Sequence, residues 1–441
     1  IIILTLLRQY RIDPMSELKK VLIVTYYWPP AGGPAIQRTL KFVKYMRFFG
    51  WEPVILTVEN GEYPAIDPSL IQEIPDNIQV YKTKAFQPFQ LYRMLTGKKG
   101  NTHNNANVFG QKDKTFIERL AKWIRLNLFI PDARIGWYAY AVKAAKKIIE
   151  QEHIDLIYSS SPPHSLQLIA QKIAKQNKIK WVADFRDPWS ELVHYQSYKR
   201  TWLTRKIDSH FEKSVFRSAD RLIAAANDYA TCIKTHVDRK IEVIYNGYDP
   251  SDFPKPKSRN TEDFLITYTG ELSEDRIPHA LLRALSRLEH SNIKLQFIGN
   301  TCPELKQEIQ QLNLGNKVIL KPYMPHIASI AELQQSDLLL LVINQVANGK
   351  GIVPGKIFEY LGTRKPILCL GDPTGEAGEI IKTTNSGFCI AHHNEEEIFI
   401  LLSRLSSGVL PGLSFQTEQF ERKNETGQLC DIFNTLVNKP S

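Results

Sequence analysis

Short apolar runs that alternate with helix-like segments constrain this chain more than any other feature. Residues 21–27 form a continuous apolar run that suits a buried parallel strand, and the turn-rich PPAGGP follows it. Ile36, Leu40 and Val43 then recur at helical spacing before Gly50 and the strand-like PVILTV. This order is a βαβ unit, and its repetition predicts an α/β fold built on parallel sheets.

The alternation forms two blocks of similar size, joined near residue 255 by the polar PSDFPKPKSRNTED. Strands are predicted at 21–27, 53–58, 156–159, 180–184, 221–225 and 241–245, and then at 265–269, 294–298, 318–321, 337–343, 366–370 and 387–391. The blocks predict two Rossmann-like domains that face a cleft, residues 15–255 and 256–419. Residues 420–441 are predicted to contribute an amphipathic helix that packs back toward the first domain.

Length and cysteine usage agree with this organisation. A chain of 441 residues exceeds what one hydrophobic core usually organises. Its five cysteines are scattered and include no CxxC, which predicts a reducing compartment rather than a disulfide frame or a zinc site.

Residues 1–14 are too short an apolar run to span a bilayer and have no basic leader. We expect them to be a poorly ordered extension, with Met15 as the natural start.

The positive charge is concentrated in one region. The chain carries a net charge of +10, and residues 84–150 hold thirteen Lys/Arg against four Asp/Glu, a net +9. This stretch is either a solvated face or a surface for anionic lipid or phosphate-bearing substrates. Residues 116–131 mix aromatic, leucine and basic residues as an interfacial helix does. Nucleic acid is not an expected partner, because the chain has no zinc-finger spacing, RNP-like motif or recognition helix.

Candidate site residues in the first block follow predicted strands. Gly32 and Gly33 precede a helix, where glycines let the backbone approach a phosphate or a sugar, or simply form a tight turn. His164 in SSSPPHS can hydrogen-bond a ligand or serve the structure.

The loop ADFRDPW brings together two carboxylates and an arginine. Asp184 or Asp187 can hold a sugar hydroxyl, and Arg186 can bind an anion. An internal pair that only holds the loop is the other interpretation.

The second block offers cationic candidates. Gly270 follows a predicted strand, and Arg276 comes six residues later, where it can neutralise a diphosphate or lie on the surface. In GIVPGKIFEYLGTRKPIL, Pro354 suits the first turn of a helix. The amides of Gly355, Lys356 and Ile357 are then expected to point outward and, with the lysine, to hold a phosphate.

Glu359 lies about one turn beyond Lys356 on the same predicted helix. Its carboxylate can accept hydrogen bonds from two vicinal hydroxyls, as on a ribose, or it can face solvent. One short helix would then bind both the diphosphate and the ribose of a nucleotide.

Together these motifs resemble the GT-B glycosyltransferases of family 4, a retaining group that makes surface polysaccharides and glycolipids. The resemblance covers nearly the whole chain from Met15. It is carried by YYWPPAGGPAIQRTLKF, SPPHS, WVADFRDPW, YNGYDPSDF, TGELSEDR and PGKIFEYLGTRKPIL, in this order and spacing.

The resemblance implies a role for most candidates. Gly32 and Gly33 match the family's glycine loop near the donor phosphate and the acceptor, and His164 matches a residue near the transferred sugar. Arg276 falls where the family has a diphosphate-binding lysine. Glu359 matches the ribose-binding glutamate of the E-x7-E motif.

Three further positions bear on the donor half. Glu379 matches a later glutamate of the family's donor domain. The first glutamate of E-x7-E is replaced by Gly351, and the arginine of the diphosphate loop by Glu271. Lys356 is expected to supply the positive charge lost at residue 271.

The resemblance implies sugar transfer from a nucleotide-sugar donor to a glycan or lipid-linked acceptor, with retention and with no metal or other cofactor. His164, Arg276 and Lys356 are the candidate catalytic residues. The expected location is cytoplasmic, at the inner face of the membrane. Alternatives are a nucleotide-sugar epimerase of the same fold, a non-catalytic nucleotide-sugar or polyanion-binding protein, and a nucleic-acid binder.

Overall fold

The structure, a computed structural model, describes residues 18–63, 65–87, 116–190, 200–255, 259, 262–288, 291–346, 349–408 and 412–437. The predicted extension at 1–14 and the polar segment at 98–107 lie outside the described residues. The chain forms two compact units: residues 1–245 with 422–441 are unit 1, and residues 246–421 are unit 2.

Unit 1 is built on a sheet whose described strands all run parallel in the order β3-β2-β1-β4-β5-β6-β7. These strands are Lys19–Val24 (β1), Trp51–Val58 (β2), Gln79–Thr83 (β3), Leu156–Ser161 (β4), Lys180–Phe185 (β5), Arg221–Ala224 (β6) and Glu242–Val243 (β7). The helices described in this part of the chain are Pro34–Met46 (α1), Phe116–Leu128 (α2), Tyr138–Glu152 (α3), Ser165–Asn177 (α4), Trp202–Ser218 (α5) and Asn227–Lys234 (α6).

Unit 2 repeats this plan with parallel strands in the order β10-β9-β8-β11-β12-β13. These strands are Phe264–Thr269 (β8), Ile293–Ile298 (β9), Val318–Lys321 (β10), Leu338–Val342 (β11), Ile367–Leu370 (β12) and Gly387–Ile390 (β13). Its described helices are His279–Ser286 (α7), Pro303–Gln311 (α8), His326–Gln334 (α9), Lys356–Thr363 (α10), Glu376–Thr383 (α11) and Glu395–Ser406 (α12). The last helix, Arg422–Val437 (α13), belongs to unit 1.

The central strands are buried on both faces, which explains their continuous apolar sequence. In β1, Leu22 and Val24 belong to one core cluster, which includes residues of α3 and α4. Val21 and Ile23 belong to a second cluster on the opposite face, together with Phe433 of α13. Burial on both sides is possible because helices cover the sheet on each face.

The α/β fold class is confirmed, and each of the predicted strands overlaps a strand of the structure. β3 was not predicted. It reads QVYKT and lies at the sheet edge with only part of its surface buried, so it carries no apolar run.

The structure divides the chain after Tyr245 rather than after residue 255. Tyr248 explains the difference, because its amide bonds to Phe420 O at 2.9 Å and its hydroxyl lies 3.0 Å from Oγ1 of Thr417, both in unit 2.

Candidate functional site

Unit 2 carries a cluster of predicted site residues where β8 ends. The strand order of its sheet changes direction between β8 and β11, and open α/β sheets bind ligands at such a point. Gly270 follows β8 with a φ of 109°, which glycine adopts without strain. A Cβ on Gly270 would lie 3.0 Å from Nζ of Lys356, so the glycine leaves room for that ammonium group.

Lys356, the first residue of α10, reaches back to the end of β8. Its Nζ donates a hydrogen bond to Thr269 O at 2.6 Å and lies 4.0 Å from the centroid of the Tyr268 ring. Burial, together with the nearby charge of Arg276, lowers the pKa of Lys356 to about 7, and Glu359 only partly opposes this. The lysine can therefore change its charge near neutral pH.

The guanidinium of Arg276 is a second cation near Lys356. It ends the 3₁₀ turn Glu274–Arg276, and its Nη1 donates to Glu271 O at 3.2 Å. Its Nε is buried and has no hydrogen-bond partner in the described part of the chain. Two neighbouring cations, one with an unsatisfied N–H, form an arrangement that an anion would neutralise.

The loop that presents Arg276 is held by contacts that sequence reasoning missed. Asn344, just beyond β11, donates from Nδ2 to Asp275 Oδ2 at 2.6 Å, and the Ser273 hydroxyl bonds the other oxygen. Burial works to raise the pKa of Asp275, but these bonds and Arg276 outweigh it and lower that pKa. The acidic residue directly before Arg276 in SEDR was the available signal.

The N-terminus of α10 differs in one respect from the prediction. The amides of Gly355 and Lys356 have no acceptor among the described residues, as expected. The amide of Ile357 is not free, because it donates to Pro354 O at 3.0 Å in a tight first turn. A Cβ on Gly355 would meet no atom within 4 Å, so the space in front of this turn is open.

The glutamates of unit 2 lie in different settings. Glu359 is half-buried on α10, with Oε1 3.0 Å from Nε2 of His326 at the start of α9. Glu379 lies on the exposed side of α11, where its Oε1 is 3.8 Å from Nζ of Lys382. Gly351, which replaces a family glutamate, ends the 3₁₀ turn Gly349–Gly351.

His164 in unit 1 is buried, with 2% of its surface exposed. Its ring stacks on Trp189 at 4.8 Å, and Nδ1 lies 3.3 Å from Oγ of Ser161. Burial, aided by the charge of Arg186, lowers its pKa to about 3, so the ring is neutral at pH 7. Nε2 is buried without a hydrogen-bond partner among the described residues, and the backbone of Pro188 only partly opposes the lowering of the pKa.

Asp184 was predicted as a sugar-binding residue, and the structure places it in the core instead. It is fully buried, and Arg38 binds it through two bonds of 2.8 Å. Tyr158 and Ser160 also donate to Oδ2, at 2.8 and 2.6 Å. Burial alone would raise the pKa of Asp184, but Arg38 and these hydroxyls lower it. Arg38 also bonds Tyr245 O at 2.7 Å, so the pair closes a structural network.

The other predicted residues of unit 1 lie at the carboxyl end of the sheet. Arg186 and Asp187 form an ion pair of 3.2 Å that leaves Asp187 half-exposed. Gly32 donates its amide to Ala65 O at 2.9 Å, and Gly33 has a φ of 101° at the start of α1. The glycine turn is therefore fixed to a neighbouring loop.

The described residues contain neither a metal-binding cluster nor a membrane-spanning helix. No group of three or more His, Cys, Asp or Glu among them could hold a metal ion. None of the helices within the described ranges is long and apolar enough to cross a membrane.

Two family models match adjoining parts of the chain. The one described as Glycosyltransferase Family 4 matches residues 106–252, and the one described as Glycosyl transferases group 1 matches residues 250–407. Together they span residues 106–407, more than half of the 441 residues. The second match contains the cluster around Lys356.

Several solved structures are similar along nearly the whole chain. A glycosyltransferase from Rickettsia africae ESF-5 is 15% identical, with a TM-score of 0.59, and the match covers 97% of this chain and 100% of that one. HepE of Anabaena, in complex with UDP, is 14% identical with a TM-score of 0.57 over 96% and 100%. A putative UDP-N-acetylglucosamine 2-epimerase from Listeria monocytogenes is 10% identical with a TM-score of 0.54 over 96% and 98%. No curated protein sequence matches the chain.

Proposed function

The chain belongs to the GT-B glycosyltransferases of family 4, and on that premise we propose that it transfers a sugar from a nucleotide-sugar donor to a glycan or lipid-linked acceptor, with retention and without a metal ion. The observation that carries the proposal is the pair of cations, Lys356 and Arg276, beside the open backbone turn before α10. The similarity to HepE, whose structure contains UDP, supports a nucleoside diphosphate as the anion.

The charges of the site suit the departure of a diphosphate. Negative charge grows on the leaving group as the bond to the sugar breaks, and fixed cations that face it lower the barrier. Lys356, Arg276 and the amides of Gly355 and Lys356 supply this stabilisation. Glu359 lies one turn further along α10, within reach of a ribose diol, and His326 orients its carboxylate.

The same arrangement supports the proposed metal independence and retention. The cations neutralise charge that a divalent ion would otherwise neutralise. A diphosphate oxygen then accepts the proton of the acceptor hydroxyl on the face from which it leaves, which retains the configuration at the anomeric carbon. His164 holds a sugar hydroxyl through Nε2 and transfers no proton at neutral pH, because its pKa is about 3.

An exposed apolar surface in unit 1 supports association with the inner face of the membrane. It consists of four large apolar residues, each 46–67% exposed: Trp123, Leu128, Trp202 and Leu203. The two helices that carry them, α2 and α5, meet where the Thr201 amide donates to Asn127 Oδ1 at 2.7 Å. Nζ of Lys206 lies 5.1 Å from the centroid of the Trp202 ring. Tryptophan beside basic residues suits the headgroup region of an anionic bilayer.

Co-sedimentation tests the membrane surface. The protein is expected to bind vesicles that contain phosphatidylglycerol more strongly than pure phosphatidylcholine, and less strongly as salt rises. Replacing both Trp202 and Leu203 by alanine should release it. Retained binding by this variant would remove the surface from the proposal.

Donor binding is tested by thermal denaturation with UDP, GDP and their sugars, without metal and with EDTA. A ligand at 100 times its dissociation constant adds about 2.7 kcal/mol of stability, which is readily measured. One nucleotide series should stabilise the wild type, and Glu359→Ala should lose the effect. The stabilising donor is then incubated with glycan acceptors, and NMR of the product gives its anomeric configuration.

The same experiment separates the alternatives. Release of a free nucleotide-sugar inverted at one carbon would favour an epimerase, the activity named for the Listeria neighbour. Binding of a nucleotide-sugar without turnover on any acceptor would favour a binding protein. Absence of stabilisation by every nucleotide would contradict the proposal.

A further inference from the structure

Unit 1 contains a cavity of about 390 Å³ beside the glycine turn. This volume lies within the range of small-molecule sites, roughly 300–1,000 Å³. The residues that matter for recognition come from the ends of β1, β2 and β3 and from the loop after β2: Trp28, Glu59, Asn60, Glu62, Tyr63 and Lys82. The cavity is part of neither the Lys356 cluster nor the His164 contacts described above.

Its aromatic wall is held in place before any ligand binds. A Cβ on Gly61 would lie 2.5 Å from the Tyr63 ring, so only glycine lets this ring lie over the loop. Tyr27 packs edge-on against the same ring at 6.4 Å. Burial raises the pKa of Tyr63, so its hydroxyl stays protonated. A rigid ring of this kind can stack on the apolar face of a pyranose.

The walls on either side are also fixed by backbone contacts. Asp67 donates its amide to Pro30 O at 2.8 Å, which ties the glycine turn to the loop opposite. The Gln87 side chain donates to the carbonyl of Asn60. A preformed cavity avoids the entropic cost of ordering loops around a ligand.

The charges of the lining select the class of ligand. Glu62 forms an ion pair of 3.0 Å with Arg134. Glu59 is exposed, and its carboxylate has no hydrogen bond or ion pair within the described ranges. Lys82 is the one cation that the lining offers among described residues. Because Glu62 is paired and Lys82 offsets Glu59, the lining has no net charge and suits an uncharged ligand. The carboxylate of Glu59 can accept hydrogen bonds from sugar hydroxyls.

We infer that this cavity holds an uncharged sugar residue of the acceptor glycan, stacked on Tyr63 and bonded through its hydroxyls to Glu59. The inference rests on the proposed function and adds the chemical class of the acceptor. A membrane-bound acceptor would therefore present a neutral sugar at this cavity, and any phosphate of its anchor would lie elsewhere.

The test compares neutral methyl glycosides with a glucuronide, in which a carboxylate replaces the C6 hydroxymethyl group of glucose. Full-length protein is titrated with methyl glucoside and methyl glucuronide, and with the methyl glycosides of galactose, mannose and N-acetylglucosamine, while saturation-transfer NMR reports contact with the protein. At least one neutral glycoside is expected to bind at least about fivefold more tightly than the glucuronide. Stronger or equal binding of the glucuronide overturns the assignment.

Variants locate the binding. Tyr63→Ala should abolish the neutral-sugar signal, and Tyr63→Phe should keep it, which separates loss of stacking from loss of folding. Glu59→Lys should shift the preference toward the glucuronide. Tyr140→Ala and Glu150→Gln, at exposed positions of α3, are the matched controls. A signal that survives Tyr63→Ala in a folded protein places the sugar elsewhere and overturns the inference.

Donor binding keeps the two proposals distinguishable. If no glycoside binds while UDP or GDP still stabilises the protein, the cavity assignment fails and the donor site stands. If neither class binds, both fail.

Discussion

Two groups of charged residues at strand ends look alike in the sequence and differ sharply in the structure. In unit 1, Asp184 is fully buried with Arg38, and hydrogen bonds satisfy both its oxygens. In unit 2, Lys356 and Arg276 have like charges, and Arg276 keeps a buried N–H without a partner among described residues. The first group has its full set of hydrogen-bond partners, whereas the second keeps an unsatisfied N–H that the proposed anion would bind.

The difference shows how a structural pair is told from a binding site. A buried charge with its full set of partners stabilises a fold, and removal of one partner is costly because the other charge stays buried. Neighbouring like charges destabilise a fold. They are therefore found most often at functional sites, where a bound ligand can neutralise them.

Asp184→Asn is expected to destabilise unit 1 by about 3–5 kcal/mol, because it leaves the Arg38 guanidinium buried without its carboxylate. Amide hydrogen exchange of β4 and β5, followed during denaturation, measures the loss in free energy of unfolding. Lys240→Met is the control, since Lys240 pairs with Glu242 on the surface with 80% of its side chain exposed. If Asp184→Asn destabilised the protein no more than Lys240→Met, the Arg38–Asp184 pair would not be structural.

Lys356→Met should weaken binding of the nucleoside diphosphate by about 1.5–3 kcal/mol, which is roughly 10- to 150-fold, because a charged hydrogen bond to phosphate is lost. Calorimetry without metal gives the affinity. Lys382→Met, at an exposed position of α11, serves as the matched control. Unchanged affinity in Lys356→Met would exclude the lysine from the donor site.

Donor binding should weaken as pH rises above 7. The pKa of Lys356 in the free protein is about 7, and a diphosphate binds the charged form, so binding takes up a proton at higher pH. Affinity is expected to fall by up to about tenfold per pH unit, and Lys356→Met should flatten the profile. A profile that Lys356→Met leaves unchanged would assign the proton to another group.

Folding stability should respond to pH in the opposite direction. The pKa of Lys356 is lower in the folded protein than the unperturbed value of about 10.4, so the unfolded chain binds more protons between these values. The lysine therefore contributes stability that rises with pH from about 7 to 10. Denaturation of wild type and Lys356→Met across this range measures the difference, and identical slopes would contradict it.

Glu379→Gln is expected to have the smallest effect, less than about 0.5 kcal/mol on donor binding, because this exposed residue pairs only with Lys382 among the charged groups of the described residues. Competition against a fluorescent nucleotide can resolve a change of this size. A loss comparable to that of Glu359→Ala would restore Glu379 to the donor site that the family resemblance assigned to it.

Most of the fold was predictable because parallel strands covered on both faces leave long apolar runs, as in residues 21–27 and 337–343. β3 was not predicted, because an edge strand buries too little surface to require such a run. The family resemblance was likewise predictable and is confirmed by two family models. The site was predicted less well: Lys356 and Gly270 do lie together, but Asn344, Tyr268 and His326 carry no local signal.

The sequence by itself determined two parallel sheets, the glycines at strand ends and the short helix that begins at Lys356, since each depends on local spacing. Only the tertiary structure decided which charges are paired. Arg38 and Asp184 are 146 residues apart in sequence, and Lys356 reaches Thr269 across 87 residues. Pairing of this kind depends on which strand ends become neighbours in the sheet, so Asp184 became part of a core and Lys356 part of the proposed anion site.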